Sequence, residues 1–493
     1  MKTYGHFIDG RYVDPLEGRY LDSIDPYLGQ AWARVPQGCV RDVAAAVAAA
    51  KRAMRTGPWS AMGATERGKM MLRLADLVAK NVDRLAEIEV RDNGKLLAEM
   101  RGQLQYHPEW WRYFGGLADK IEGGVMPIDK PDMLAFTRHE PIGVVAALTA
   151  WNSPLLFIAW KCAAAIAAGC AVVVKPSEFA SVSTLAFAEL TVEAGFPDGV
   201  FNVVSGLGAE AGSALVDHPD VAKITFTGSD ATGARVYAQA AKTLKRVSLE
   251  LGGKSPNIVF DDCDLDKAAA GVISGIFAAT GQTCIAGSRL LVQNSIREAF
   301  TARVAALGAS ARMGNPMQAD TNIGPVTTPA QYQKIIDYIA IAKAEGARCI
   351  LGGGPASSTD LPGGQFVEPT IFVDVKPEMR IAREEVFGPV LSVIGFDTEA
   401  EAIEMANDTI YGLAAGVWTT DIGRAMRVSK ALKAGTVWIN TYRTISYMMP
   451  FGGMKHSGIG RESGADSIRE FLETKSTWLS YSDAAPTNPF ILK

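Results

Sequence analysis

The sequence predicts an α/β fold made of a doubly wound parallel unit followed by a second α/β domain. From Ile142 onward, short β-branched runs alternate with longer helix-like stretches, the pattern of a parallel sheet joined by crossover helices. A second βα series runs from Ser288 to Asn440. At 493 residues the chain is longer than one hydrophobic core usually holds, so two large domains are expected, with room for a smaller appendage.

Taken in order, Val40 to Ala53 and Thr65 to Asn93 are rich in Ala, Leu and charge and predict helices able to pack on the first sheet. Gly124 to Pro141 reads as a hairpin outside either series. The first sheet draws its strands from IGVVAALTA, AVVVK, VFNVVS, AKITFTG and RVSLELG. Its helices are Leu155 to Ala168, closed by Gly169; Phe179 to Ala194, closed by Gly195; Ala209 to Val216; and Ala231 to Lys242. The second sheet draws on RLLVQ, LSVIGF, AAGVWT and GTVWIN, with helices near 329–345, 398–406 and 421–432. Arg469 to Ser480 alternates like an exposed edge strand, and such edges tend to be covered by another chain.

Composition narrows the function. A hydrophobic fraction of 48% and a charged fraction of 21% are those of a globular protein. The net charge of -4 supplies no basic field for a phosphate backbone, so nucleic acid is not an expected partner. Six cysteines are scattered without a CxxC pair, and MKTYGHFIDG has no signal-peptide or transit-peptide character, so a reducing, cytoplasmic setting is expected. The longest apolar run, Cys162 to Val174, falls well short of the roughly 20 residues that span a bilayer. Five histidines, far apart and without an HExxH or zinc spacing, predict no metal centre. No GxSxG or Walker A run occurs either.

Two glycine-containing turns follow strands and open helices. GLGAEAG at Gly206 to Gly212 is spaced GxGxxxG, one residue off the dinucleotide fingerprint, and a plain strand-to-helix turn explains it equally well. FTGSDATG places Gly228 and Ser229 where backbone N–H groups and a hydroxyl can meet a pyrophosphate, although a Ser there also serves as an N-cap. Most free cysteines are small buried hydrophobes, but Cys284 sits in FAATGQTCIAG, where glycines and polar residues interrupt the apolar pattern. Glu250, at the end of an apolar strand and before two glycines, is either a buried carboxylate with a raised pKa, suited to a base, or a solvated strand end. Asn152 follows a strand at the sheet edge where α/β ligands bind, and a turn role is the alternative.

TAWNSPLL, AVVVKPSE, FTGS, LELGGKSP, FAATGQTCIAGSR, EEVFGPV and PFGGMKHSGIGRESG follow one another in an order and spacing that resembles the NAD(P)-dependent aldehyde dehydrogenase superfamily over essentially the whole chain. That resemblance implies a Rossmann-like coenzyme domain (1–121 and 142–252), an α/β catalytic domain (253–456) and a small β oligomerisation element (122–141 and 469–493). It implies Cys284 as nucleophile, Glu250 as the base for the hydrolytic water and Asn152 as oxyanion donor. It implies NAD as the cofactor, with NADP as the alternative, bound by Lys175 and Glu178 at the adenosine ribose and by Gly228 and Ser229 at the pyrophosphate. The resemblance also implies that Glu385 and Phe387 position the nicotinamide ribose and ring, that Trp151 is a further cofactor-binding residue, and that GLGAEAG is not the pyrophosphate clamp. The partners implied are a small-molecule aldehyde substrate and further copies of the chain, as a homodimer or homotetramer.

The same resemblance locates a substrate pocket at Ser153, Phe157, Trp160, Ala278, Thr283, Ile285 and Phe451. Ser153 and Ala278 stand where many relatives have aromatics, and Tyr447, Met448 and Met449 add apolar surface, so a roomy pocket for bulky apolar or aromatic aldehydes is expected. Arg443, nearby, lies in a loop whose direction the pattern leaves open. A CoA-acylating semialdehyde dehydrogenase is the alternative activity, disfavoured by the base Glu250. A non-catalytic binding protein on the same fold is disfavoured by the intact Cys284, Glu250 and Asn152.

Overall fold

The five runs of the first series form parallel strands at Val144–Leu148, Ala171–Lys175, Phe201–Val203, Val221–Thr227 and Arg246–Glu250 in a computed structural model that describes residues 1–356, 361–362, 364–484, 488 and 490. Side by side they run 246–250, 221–227, 144–148, 171–175, 201–203, so the order reverses between Val144–Leu148, the first of the five in the chain, and Val221–Thr227. The chain leaves these two neighbours in opposite directions, which opens a crevice beyond their carboxyl ends. Thr149 to Asn152 and Gly228 to Ser229 are the residues that follow them.

Three further strands complete this sheet of eight: His6–Ile8 and Arg11–Val13 on one edge and Gly458–Ile459 on the other, all antiparallel. The sequence reading contained none of the three, because each has at most three residues and no periodicity to detect. The crossover helix Pro154–Ala168 is buried at every position and ends at Gly169, whose φ of 97° lets its N–H reach Ala165 O and Ile166 O. Full burial of Leu155, Phe157, Ile158 and Ile166 stabilises by about 1.5–3 kcal/mol each, which offsets the ordering of the helix between sheet and outer helices.

A seven-stranded second sheet runs 348–351, 370–373, 390–396, 289–293, 256–259, 414–418, 436–439 and is parallel except for Arg348–Leu351. Its strands Pro256–Val259 and Thr370–Val373 and its helices Leu265–Ile276 and Arg297–Ala309 add to the expected series. Thr65 to Asn93 is two helices, Ala64–Lys80 and Val82–Asn93. Asn81 divides them by donating from its side-chain Nδ2 to Leu77 O at 2.9 Å, a local bond that competes with helix continuation.

The hairpin appears as Val125–Met126 paired with Met133–Pro141. The edge strand starts later than expected, since Ala465–Phe471 is a 3-10 helix and the strand is Leu472–Ser480. It pairs with Met133–Pro141 over nine residue positions, forming a three-stranded sheet apart from the two large ones. Part of the 469–493 element lies outside the described residues. Among the described residues no helix is long and apolar enough to cross a membrane.

Candidate active site

Cys284 lies between the helix Leu265–Ile276 and the strand Arg289–Gln293, and the chain reaches it through an irregular loop. Ala279, Thr280 and Gly281 are all left-handed, with φ of 55°, 53° and 68°. For the two residues with side chains this costs about 1–3 kcal/mol each, and surrounding contacts must hold it. Ala279 N–H donates to Glu99 Oε1 at 2.8 Å, Gln282 Nε2 donates to Pro325 O at 3.3 Å, and Gln282 O accepts from Asn152 Nδ2 at 3.1 Å. A Cβ at Gly281 would lie 2.1 Å from Gly388 O, so only glycine fits there.

The bond from Asn152 brings its amide beside the cysteine loop and leaves a second N–H for a ligand. Burial pushes the Cys284 thiol up to about 12, the carboxylates of Glu250 and Glu385 push in the same direction, and the Lys95 ammonium pulls it down. Glu250 ends the strand beside Val221–Thr227 and is 4% exposed. Neither of its carboxylate oxygens has a hydrogen-bond partner among the described residues. Burial, then the negative charge of Glu462, holds its pKa well above the usual carboxylate range, with Lys161 and Arg461 opposing. Lys161 Nζ in turn donates to Glu462 Oε1 at 2.5 Å, an ion pair hidden from solvent.

Two cavities meet at Cys284, Asn152 and Phe157. The first, of about 340 Å³, is lined by the expected Ser153, Phe157, Trp160, Thr283, Ile285 and Phe451. Ala278 is not part of that lining, contrary to expectation: it opens the 3-10 turn Ala278–Gly281, and the left-handed run separates it along the chain from Thr283. Tyr447, Met448 and Met449 do not line it either, and Met448 and Met449 are mostly exposed. Instead Lys95, Glu99, Gln103, Tyr106 and Arg443 complete the wall, so the lining is not uniformly apolar. Arg443, at φ 65°, thus faces the cavity. The helix Leu97–Tyr106 went unread as part of the site, although Glu99, Gln103 and Tyr106 recur at i, i+4 and i+7 on one face.

On the other side, a cavity of about 130 Å³ is lined by Trp151, Gly228, Ser229, Gln331, Lys334, Glu385 and Phe387 among others. Trp151 and Phe387 meet edge to face with ring centroids 5.4 Å apart. Glu385 Oε1 accepts from Gly253 N at 2.8 Å, and a Cβ at Gly252 would lie 2.6 Å from Glu385 Oε2. The crevice continues into a space of about 640 Å³ that holds Lys175, Glu178, Ser229, Thr232 and Arg235. Lys175 is 4% exposed and pairs with Glu178 Oε2 at 3.2 Å. Burial lowers the Lys175 pKa, which the Glu178 carboxylate partly restores. Ser229 is the N-cap of the helix Asp230–Ala241, its Oγ accepting from Thr232 N at 3.3 Å. Gly208 and Gly212 of GLGAEAG line the same space from a π-helical turn.

Comparison with known proteins places the whole chain in a family. The sequence profile of the aldehyde dehydrogenase family matches residues 12–477. A (Z)-2-((N-methylformamido)methylene)-5-hydroxybutyrolactone dehydrogenase of Acinetobacter baylyi is 45% identical, with 100% of each chain covered. Among crystal structures, a point mutant of Staphylococcus aureus betaine aldehyde dehydrogenase, in complex with NAD+ and carrying a BME-modified cysteine, is 41% identical with a TM-score of 0.97, covering 99% of this chain and 98% of that one. An NAD-dependent aldehyde dehydrogenase from Sinorhizobium meliloti is 40% identical with a TM-score of 0.95, covering 98% and 96%. Full-length likeness in both sequence and backbone leaves one conclusion: this chain belongs to the aldehyde dehydrogenase family.

Proposed function

We propose that this protein oxidises an aldehyde to a carboxylic acid with NAD, through a thioester on Cys284 that water hydrolyses. The observation that carries the reading is the position of Cys284 at the junction of two cavities, with the Asn152 amide facing the same junction. The larger crevice has the features a dinucleotide needs: the Lys175–Glu178 pair for the adenosine ribose, Gly228 and Ser229 for the pyrophosphate, and Trp151, Glu385 and Phe387 at the far end. The NAD+ in the Staphylococcus aureus relative supports that fit. NAD bound there supplies the acceptor for the hydride that leaves the substrate carbon.

The chain's own groups do the rest. Sγ of Cys284 adds to the aldehyde carbon, and Asn152 Nδ2–H stabilises the oxygen as it gains charge, a preorganised effect worth about 2.7–4 kcal/mol. After the hydride has left, Glu250 takes a proton from water as its oxygen attacks the thioester carbon, and the thiolate leaves with the bonding pair. The presence of Glu250 favours water over CoA as the acyl acceptor. Phe157, Trp160 and Phe451 support an aldehyde with apolar or aromatic bulk. We further assign 1–121 and 142–252 to cofactor binding and 253–456 to catalysis, and six unpaired cysteines support a cytoplasmic location.

NADH absorbance with a panel of aldehydes, with and without CoA, tests the reading. Turnover independent of CoA is expected, and no reduction with any aldehyde would defeat it. Because the Glu178 carboxylate accepts from a ribose hydroxyl but repels a 2′-phosphate, kcat/KM for NAD should exceed that for NADP by at least about tenfold. A clear preference for NADP would remove Glu178 from that role.

The three-stranded sheet is proposed as the assembly element. Trp478, Leu479, Met133 and Leu134 are exposed on it, and Leu472–Ser480 has one unpaired edge. Light scattering should find a dimer or a dimer of dimers. A stable, active monomer at micromolar concentration would overturn the assignment.

A further inference from the structure

Lys95 is a buried cation that the proposed reaction leaves unused. It follows Gly94, whose φ of 75° ends the helix Val82–Asn93 and turns the chain inward, and its own N–H donates to Asn93 Oδ1 at 3.0 Å. The side chain is 3% exposed and lines the cavity that holds Cys284. Its Nζ donates to Ser153 Oγ at 2.8 Å, the only acceptor it has among the described residues, and Ser153 Oγ donates to Asn152 O at 2.7 Å. A lysine so placed is costly, and an apolar residue of similar length would serve packing at least as well. Perturbed, buried charges of this kind gather at sites that use them.

The charges around it indicate the use. Glu99, Glu89 and Cys284 favour the charged form of Lys95, while Arg443 opposes it, and burial is the largest influence, bringing it down to about 8. Burial is the largest influence against a Cys284 thiolate, the carboxylates of Glu250 and Glu385 add to it, and the Lys95 ammonium, on the wall of the same cavity, favours the thiolate. We propose that Lys95 is a positioning residue whose ammonium makes the Cys284 thiolate available for attack, anchored for that task by the hydroxyl of Ser153. Through Ser153 the same ammonium fixes the backbone of Asn152, so one buried charge serves both the nucleophile and the neighbouring amide donor.

The proposal rests on Cys284 being the nucleophile of the proposed oxidation, but its test needs neither aldehyde nor NAD. The full-length protein is alkylated with iodoacetamide across a pH series, in which Sγ bonds to the methylene carbon and iodide departs, and peptide mass spectrometry follows Cys284. Lys95→Met should move the profile to higher pH and slow alkylation about tenfold near pH 7.5. Lys95→Arg, which keeps the charge, should recover most of the rate. A folded Lys95→Met protein with the wild-type profile overturns the proposal, as does a Lys95→Arg protein as slow as Lys95→Met. Should Lys95→Met fail to fold, Ser153→Ala carries the test: losing the anchor should slow alkylation about threefold, and an unchanged profile overturns the proposal. Failure of the oxidation itself would show separately, as absence of NADH formation by the wild-type protein.

Discussion

Cys284→Ala is expected to abolish NADH formation, with a fall in kcat/KM of at least about 10⁴-fold, as for other enzymes that lose a covalent nucleophile. Without Sγ no tetrahedral adduct forms, so no carbon is poised to give up a hydride. The protein should still fold, since the side chain is small and half-buried, and the loop is held by bonds from Ala279, Gln282 and Asn152 rather than by the thiol. Cofactor binding by calorimetry should therefore survive. Residual turnover comparable with wild type would mean that another of the six cysteines does the chemistry.

Glu250→Gln should fail differently. The amide keeps the shape of the side chain and removes the base, so mixing the variant with NAD and aldehyde should give a burst of about one NADH per site, followed by turnover slowed about 10²–10³-fold. Intact mass spectrometry should then find the acyl group on Cys284. The pH dependence has a definite sign. Burial and Glu462 raise the Glu250 pKa, so the carboxyl holds its proton above the ordinary carboxylate range and becomes a base only as pH rises. Wild-type kcat, where deacylation limits it, should rise with pH, and the variant should lose that rise. Wild-type steady-state turnover by Glu250→Gln, or an acyl adduct on any other cysteine, would defeat the assignment. If Glu250 also deprotonates the cysteine, the burst itself will be slow, and its rate measures that share.

The sequence alone determined the local order of this protein. Alternating β-branched runs and helix-length stretches located the parallel strands between Val144 and Glu250, and glycines such as Gly169 marked where helices stop, because backbone preference and burial on two faces act within a few residues. The ordered motifs likewise identified the family and which residue types to examine. What the linear pattern lacks is distance. The bond from Asn152 to Gln282 O spans 130 positions and the ion pair of Lys161 with Glu462 spans 301, so only folding could bring them together. Whether Glu250 was a solvated strand end or a buried carboxylate was undecidable from its neighbours in sequence, and the segment that returns far along the chain, with Gly458 paired to Glu250 and Gly452 against its carboxylate, settled the matter. The same holds for the cavity wall. Tertiary structure brought Lys95 and Arg443 to the wall and placed Lys95 against Ser153, because a side chain's burial and the charges it meets depend on elements far along the chain.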